Sequence, residues 1–118
     1  MCAMPLIRME TSIKIPEEKK SDLISALSKI VAEATGKPEA YVMAILSEAS
    51  MSMAGKTGAA AFLDVRSIGS INKKVNTRIC EEVSALLDKS FGIPGERIYI
   101  SFTDVKGVNW GCNGSVFG

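Results

Sequence analysis

The chain has 118 residues, 47% of them hydrophobic, enough for one ordinary core without disulfide or metal staples. It has no histidine, which removes Ser-His and Cys-His pairs, imidazole bases and the commonest metal ligand. Lys and Arg number 14 against 13 Asp and Glu; a net charge of +1, with no basic run longer than Lys19-Lys20 or Lys73-Lys74, offers no phosphate-tracking surface for nucleic acid.

In chain order, residues 5–10 (Pro5-Leu6-Ile7-Arg8-Met9-Glu10) read as a first strand. Ile15-Pro16-Glu17-Glu18 then opens a helix with acidic residues in its first turn. Leu23, Leu27, Ile30, Val31 and Ala34 form its apolar stripe over residues 17–35. Gly36, with Pro38 two residues on, is the stop signal. A second strand follows over 41–46 and a third over 60–65. The stripe Ile71, Val75, Ile79, Val83, Leu86 and Leu87 marks a second helix over 71–91, and Arg97-Ile98-Tyr99-Ile100-Ser101-Phe102 a fourth strand.

These elements are one unit written twice. Gly36-Lys37-Pro38 and Gly92-Ile93-Pro94 are 56 residues apart, and that shift lays Leu23 on Ile79, Leu27 on Val83 and Ile30 on Leu86. The predicted fold is α/β (α+β): two βαβ units forming a four-stranded sheet with two helices on one face, in one domain spanning 1–118. The strands read as apolar on both faces, which predicts that the uncovered face is buried by oligomerisation.

An odd cysteine count (Cys2, Cys80, Cys112) with no CxxC argues against a disulfide framework and a zinc site, so no metal and no cofactor is expected. No stretch approaches the roughly 20 apolar residues of a membrane helix, and no signal peptide is visible. The expected compartment is the cytoplasm; secretion without a signal peptide leaves no mark in a sequence.

Three features carry chemistry. Met4-Pro5 is the kind of start that methionine removal processes, and an exposed proline amine is a compact base. The bland alternative, an edge strand beginning at Pro5, is favoured by that dipeptide alone. Lys37 is either a solvated lysine at a helix end or an anion clamp; its repeat mate is Ile93. The tail from Asn109 to Gly118 holds the only Trp, and reads as a surface loop or as a pocket wall for a flat substrate.

In order and spacing, Met4-Pro5, Thr35-Gly36-Lys37-Pro38, Tyr41, Ser67-Ile68-Gly69, Arg97-Ile98-Tyr99-Ile100 and Asn113-Gly114-Ser115-Val116-Phe117 resemble the macrophage migration inhibitory factor family of the tautomerase superfamily. The resemblance covers Pro5 to Gly118. It implies a homotrimer with active sites between subunits, and keto–enol tautomerisation of phenylpyruvate- and dopachrome-like substrates with the N-terminal proline as base. Carried over, Pro5 is catalytic, and Lys37 and the Ile68 backbone hold the substrate's polar end. Tyr99 comes from the adjacent subunit, Ser101 is a pocket contact where many members have Asn, and Trp110 and Phe117 form the apolar wall. The partners implied are a small aromatic α-keto acid or enol, further copies of the chain and a cell-surface receptor.

The chain departs from the family at several points. Residues 1–4 precede the proline and are read as a leader or unprocessed N-terminus; if retained, the Pro5 nitrogen is an amide. Trp110 stands where mammalian members have Val, and Cys112 where they have Trp. Ala60-Ala61-Phe62-Leu63 replaces their CxxC, so thiol–disulfide activity is not expected. The alternative function is a secreted, cytokine-like receptor-binding protein with a vestigial or secondary tautomerase pocket.

Overall fold

A computed structural model describes residues 5–118, and the leader expectation for 1–4 lies outside them. Strand β1 spans Leu6–Thr11, α1 Glu17–Thr35, β2 Met43–Glu48, β3 Ala61–Ser67, α2 Lys73–Phe91 and β4 Ile98–Asp104. The sheet order is β2-β1-β3-β4. Within each half the two strands are parallel (β1 with β2, β3 with β4), and the halves join antiparallel through β1 and β3. This is the predicted pair of βαβ units.

Alternation selects the covered face. Ile7, Met9, Leu63 and Val65 are fully buried, in one cluster with Leu23, Leu27 and Val31 of α1 and Ile79, Val83 and Leu87 of α2. Both helices therefore lie on one side. Each ends at its glycine, Gly36 at φ 72° and Gly92 at φ 67°, the left-handed geometry that a residue without Cβ adopts at no steric cost. Asn72 caps the start of α2, its side chain accepting from the Val75 N–H at 3.0 Å.

The uncovered face corrects the expectation that the strands are apolar on both sides. Strict period-two counting places Leu6, Arg8 and Glu10 of β1 there, with Phe62, Asp64 and Arg66 of β3. Asp64, its side chain only 9% exposed, is shared by Arg8 at 3.4 Å and Arg66 at 3.1 Å; Arg8 also holds Glu10 at 2.8 Å. The Arg8 guanidinium lies 6.0 Å from the Phe62 ring centroid. Apolar groups remain at the rim, where Met43 is 59% and Tyr99 67% exposed. The Ala- and Met-rich strands concealed a charged centre because the burial of Asp64 rests on two partners and not on its own type.

No helix among the described residues is long and apolar enough to cross a membrane.

Candidate functional site

Pro5 precedes β1 and is buried, its carbonyl accepting the Met43 N–H at 3.0 Å. It lines a cavity of about 580 Å³ at one end of the sheet. Around it stand Leu6 and Met43 from the strand starts, Tyr41 from the short turn Glu39–Tyr41, and Val105 and Trp110 from the chain after β4. The walls are mainly apolar, and Arg66 is the one charged side chain among the cavity-lining residues.

The topology explains the convergence. In the β1–β3 register Leu6 faces Arg66, so Pro5 falls opposite Ser67, the last residue of β3. The chain leaving β3 is Ile68-Gly69, and it is held on two sides. The Lys37 Nζ donates to the Ile68 carbonyl at 2.6 Å, and the Gly69 N–H donates to Asp104 Oδ1 at 3.0 Å. Burial pushes the Lys37 ammonium below its ordinary range, and the Asp104 carboxylate pulls it partly back. Lys37 and Ile68 thus meet each other at the Pro5 end, but neither lines the cavity itself.

The tail is fixed by close packing. After a short turn at Gly107–Asn109, the strands β5 (Gly111–Cys112) and β6 (Ser115–Val116) form a two-residue hairpin on Asn113-Gly114. Gly107 sits so close to the Phe117 backbone that any side chain there would collide. The Phe117 N–H donates to the Trp110 carbonyl at 3.1 Å, which sets the half-buried Phe117 beside Trp110 while leaving it off the cavity lining.

Tyr99 and Ser101 stand apart. Both are exposed on the uncovered face, Tyr99 near the start of β4 and Ser101 at its middle, while Val105, on the cavity wall, follows its end. Six residues of extended strand separate Tyr99 from Val105, roughly 20 Å. One chain therefore unites Pro5 and Trp110 in the cavity, joins Lys37 to Ile68 at its end, and leaves Tyr99 and Ser101 elsewhere. Sequence reasoning missed Met43, Val105 and Arg66 as lining residues; Cys112 falls within the tail read as a surface loop or pocket wall. Arg66 had a readable signal, since alternation puts it on the opposite face from buried Val65, one residue before the Ser67-Ile68-Gly69 motif.

Comparison with known proteins agrees with this architecture. The family model for macrophage migration inhibitory factor matches residues 4–118. A macrophage migration inhibitory factor homolog of Trichuris trichiura is 34% identical over 116 residues, 97% of this chain and 100% of its own. The solved homologue from Prochlorococcus marinus has a TM-score of 0.89 at 37% identity, covering 96% of this chain and 99% of that one. The solved macrophage migration inhibitory factor-like protein of Entamoeba histolytica has a TM-score of 0.92 at 32% identity, over 97% and 99%.

Proposed function

The chain belongs to the macrophage migration inhibitory factor family, and on that footing we propose that it is a keto–enol tautomerase of phenylpyruvate- and dopachrome-like substrates, with Pro5 as its base. The observation that carries this reading is the placement of Pro5: buried, at the start of β1, on the wall of a mainly apolar cavity, level with Lys37 and Ile68. The reading requires removal of residues 1–4, which turns an amide nitrogen into a secondary amine. An α-amino group titrates near pH 8, and desolvation together with the Lys37 cation lowers that toward the range of a general base.

In the reaction the Pro5 nitrogen takes a proton from the carbon beside the substrate carbonyl and delivers one to the opposite end of the enol system. Charge gathers on the enolate oxygen, and donors near Lys37 and Ile68 meet it. Trp110 supplies the apolar wall, with Phe117 packed beside it. Tyr99 and Ser101, stranded in one chain, complete the site from a neighbouring copy in a homotrimer; their separation from Pro5 supports that assembly. The whole chain is one tautomerase domain in this reading.

The test is enol-to-keto conversion of phenylpyruvate by protein beginning at Pro5, beside Pro5→Gly and beside protein retaining residues 1–4, with intact mass fixing each N-terminus. The expected result is turnover only in the first. Equal rates in all three would remove Pro5 from the mechanism, and no turnover with receptor binding intact would favour the cytokine-like alternative.

A further inference from the structure

We infer that Arg66 is a specificity-determining residue that gives the cavity a second anion position, and that the substrate carries an anionic group on its tail besides the polar end near Lys37. The inference rests on reading the Pro5 cavity as the substrate site. Lys37 donates one N–H of its ammonium to the Ile68 carbonyl and is absent from the wall, whereas Arg66 is on it. The Arg66 side chain is 53% exposed and its plane is fixed: Nε lies 3.2 Å and Nη2 3.1 Å from Asp64 Oδ2. That leaves Nη1 without a partner among the described residues. A guanidinium held flat on one edge and open on the other matches a carboxylate bidentately or through a single charge-assisted bond.

Asp64 occupies only one edge of Arg66, and it shares the same oxygen with Arg8 at 3.4 Å. The internal repeat sharpens the point. Arg8 and Asp64 are repeat mates, and so are Glu10 and Arg66. The same place carries an anion at one end of the sheet and a cation at the cavity end. Arg66 and Ile68 also share strand parity, two residues or roughly 7 Å apart, so the two anion positions straddle the level of Pro5. A small aromatic α-keto acid with a second carboxylate on its ring spans that interval.

Trp110, the only tryptophan, lines the cavity and reports occupancy directly. Its fluorescence is titrated in the full chain with phenylacetate, a monoanion, and 4-carboxyphenylacetate, a dianion. Wild-type protein should bind the dianion about 10-fold or more tighter, the scale of one hydrogen bond to a charged group. Arg66→Gln should erase that preference, and Arg66→Lys should keep part of it. No preference in the wild type, no binding of either acid, or a preference that survives Arg66→Gln overturns the inference. An equal loss of both ligands in Arg66→Gln with a lowered melting temperature also overturns it, because Arg66 then serves only Asp64. Phenylpyruvate turnover is read separately: its absence with the dianion preference intact sinks the tautomerase reading alone, and turnover without that preference sinks this inference alone.

Discussion

Lys37 and Ile93 stand at the same place in the two halves of the chain, one residue past a left-handed glycine and one before a proline. Ile93 is fully buried and belongs to the core, while Lys37 is half-buried and reaches across to the loop after β3. Tyr41 and Arg97 are matched in the same way. Tyr41 lines the cavity, whereas Arg97 donates to three backbone carbonyls, Ala59 at 2.8 Å, Met53 at 3.3 Å and Lys56 at 3.0 Å. One half thus closes its end with core and backbone contacts, and the other opens its end into a cavity. Since the backbone runs alike in both, the fold does not require Lys37 or Tyr41. Tyr41 serves the cavity wall, and Lys37 holds the loop after β3 beside it.

Forcing the closed half to resemble the open one is expected to give the largest effect. Ile93→Lys places an unpaired ammonium in a position with no exposure, and removing the partner of a buried charge elsewhere costs about 3–5 kcal/mol. Denaturant melts should show a loss of that order, and a loss below about 1 kcal/mol would mean that the lysine escapes to solvent as Lys37 does. Arg97→Met comes next. It frees three carbonyls and unpins residues 53–59, for an expected loss of about 2 kcal/mol, a typical value for hydrogen bonds from a charged donor. Faster proteolysis within that segment would accompany it; an unchanged melt with an unchanged digestion pattern would show that the loop holds without the arginine.

Much of this contrast is legible in the sequence. The helical stripes and the Gly-x-Pro stops placed α1 over the residues it occupies and α2 within two residues at its start, because apolar periodicity and a cap are local signals. The second and fourth strands begin one or two residues later than read, since short turns at Glu39–Tyr41 and Gly95–Arg97 take up the segments after each proline. Alternation in the sequence already puts Arg8, Glu10, Asp64 and Arg66 on one face, but their pairing was not legible, because it depends on which side chains meet across β1 and β3. The scattering of the site had the same origin. Pro5 and Trp110 converge through register and a returning tail, and Tyr99 is kept from them by the length of β4, none of which is periodic in sequence.

Lys37→Ile makes the open half resemble the closed one and should be milder in stability than either change above. Its ammonium is only partly buried, and one hydrogen bond to Ile68 is lost, so the melt should move by less than about 1 kcal/mol. The Michaelis constant for phenylpyruvate should rise about tenfold, the scale of one charge-assisted contact, with the catalytic constant less affected. A collapse in stability with an unchanged Michaelis constant would assign Lys37 to the fold and dissolve the contrast with Ile93.

The smallest effect is a matter of sign. Burial pushes the Lys37 pKa below its ordinary 10.5, and Asp104 offsets part of that. The unfolded chain then holds the proton to higher pH than the folded one, so between the lowered value and 10.5 the unfolded state binds more protons. Stability must rise with pH across that window, and the penalty is fully present below it. Compared with Lys37→Met, which has nothing to titrate, the wild type should gain melting temperature as the pH climbs from neutral to about 10.5. A relative loss over the same range would mean that Asp104 and the Ile68 carbonyl outweigh burial and hold the ammonium charged. The loop after β3 would then be tied down by that cation, a constraint for which Ile93 in the other half has no counterpart.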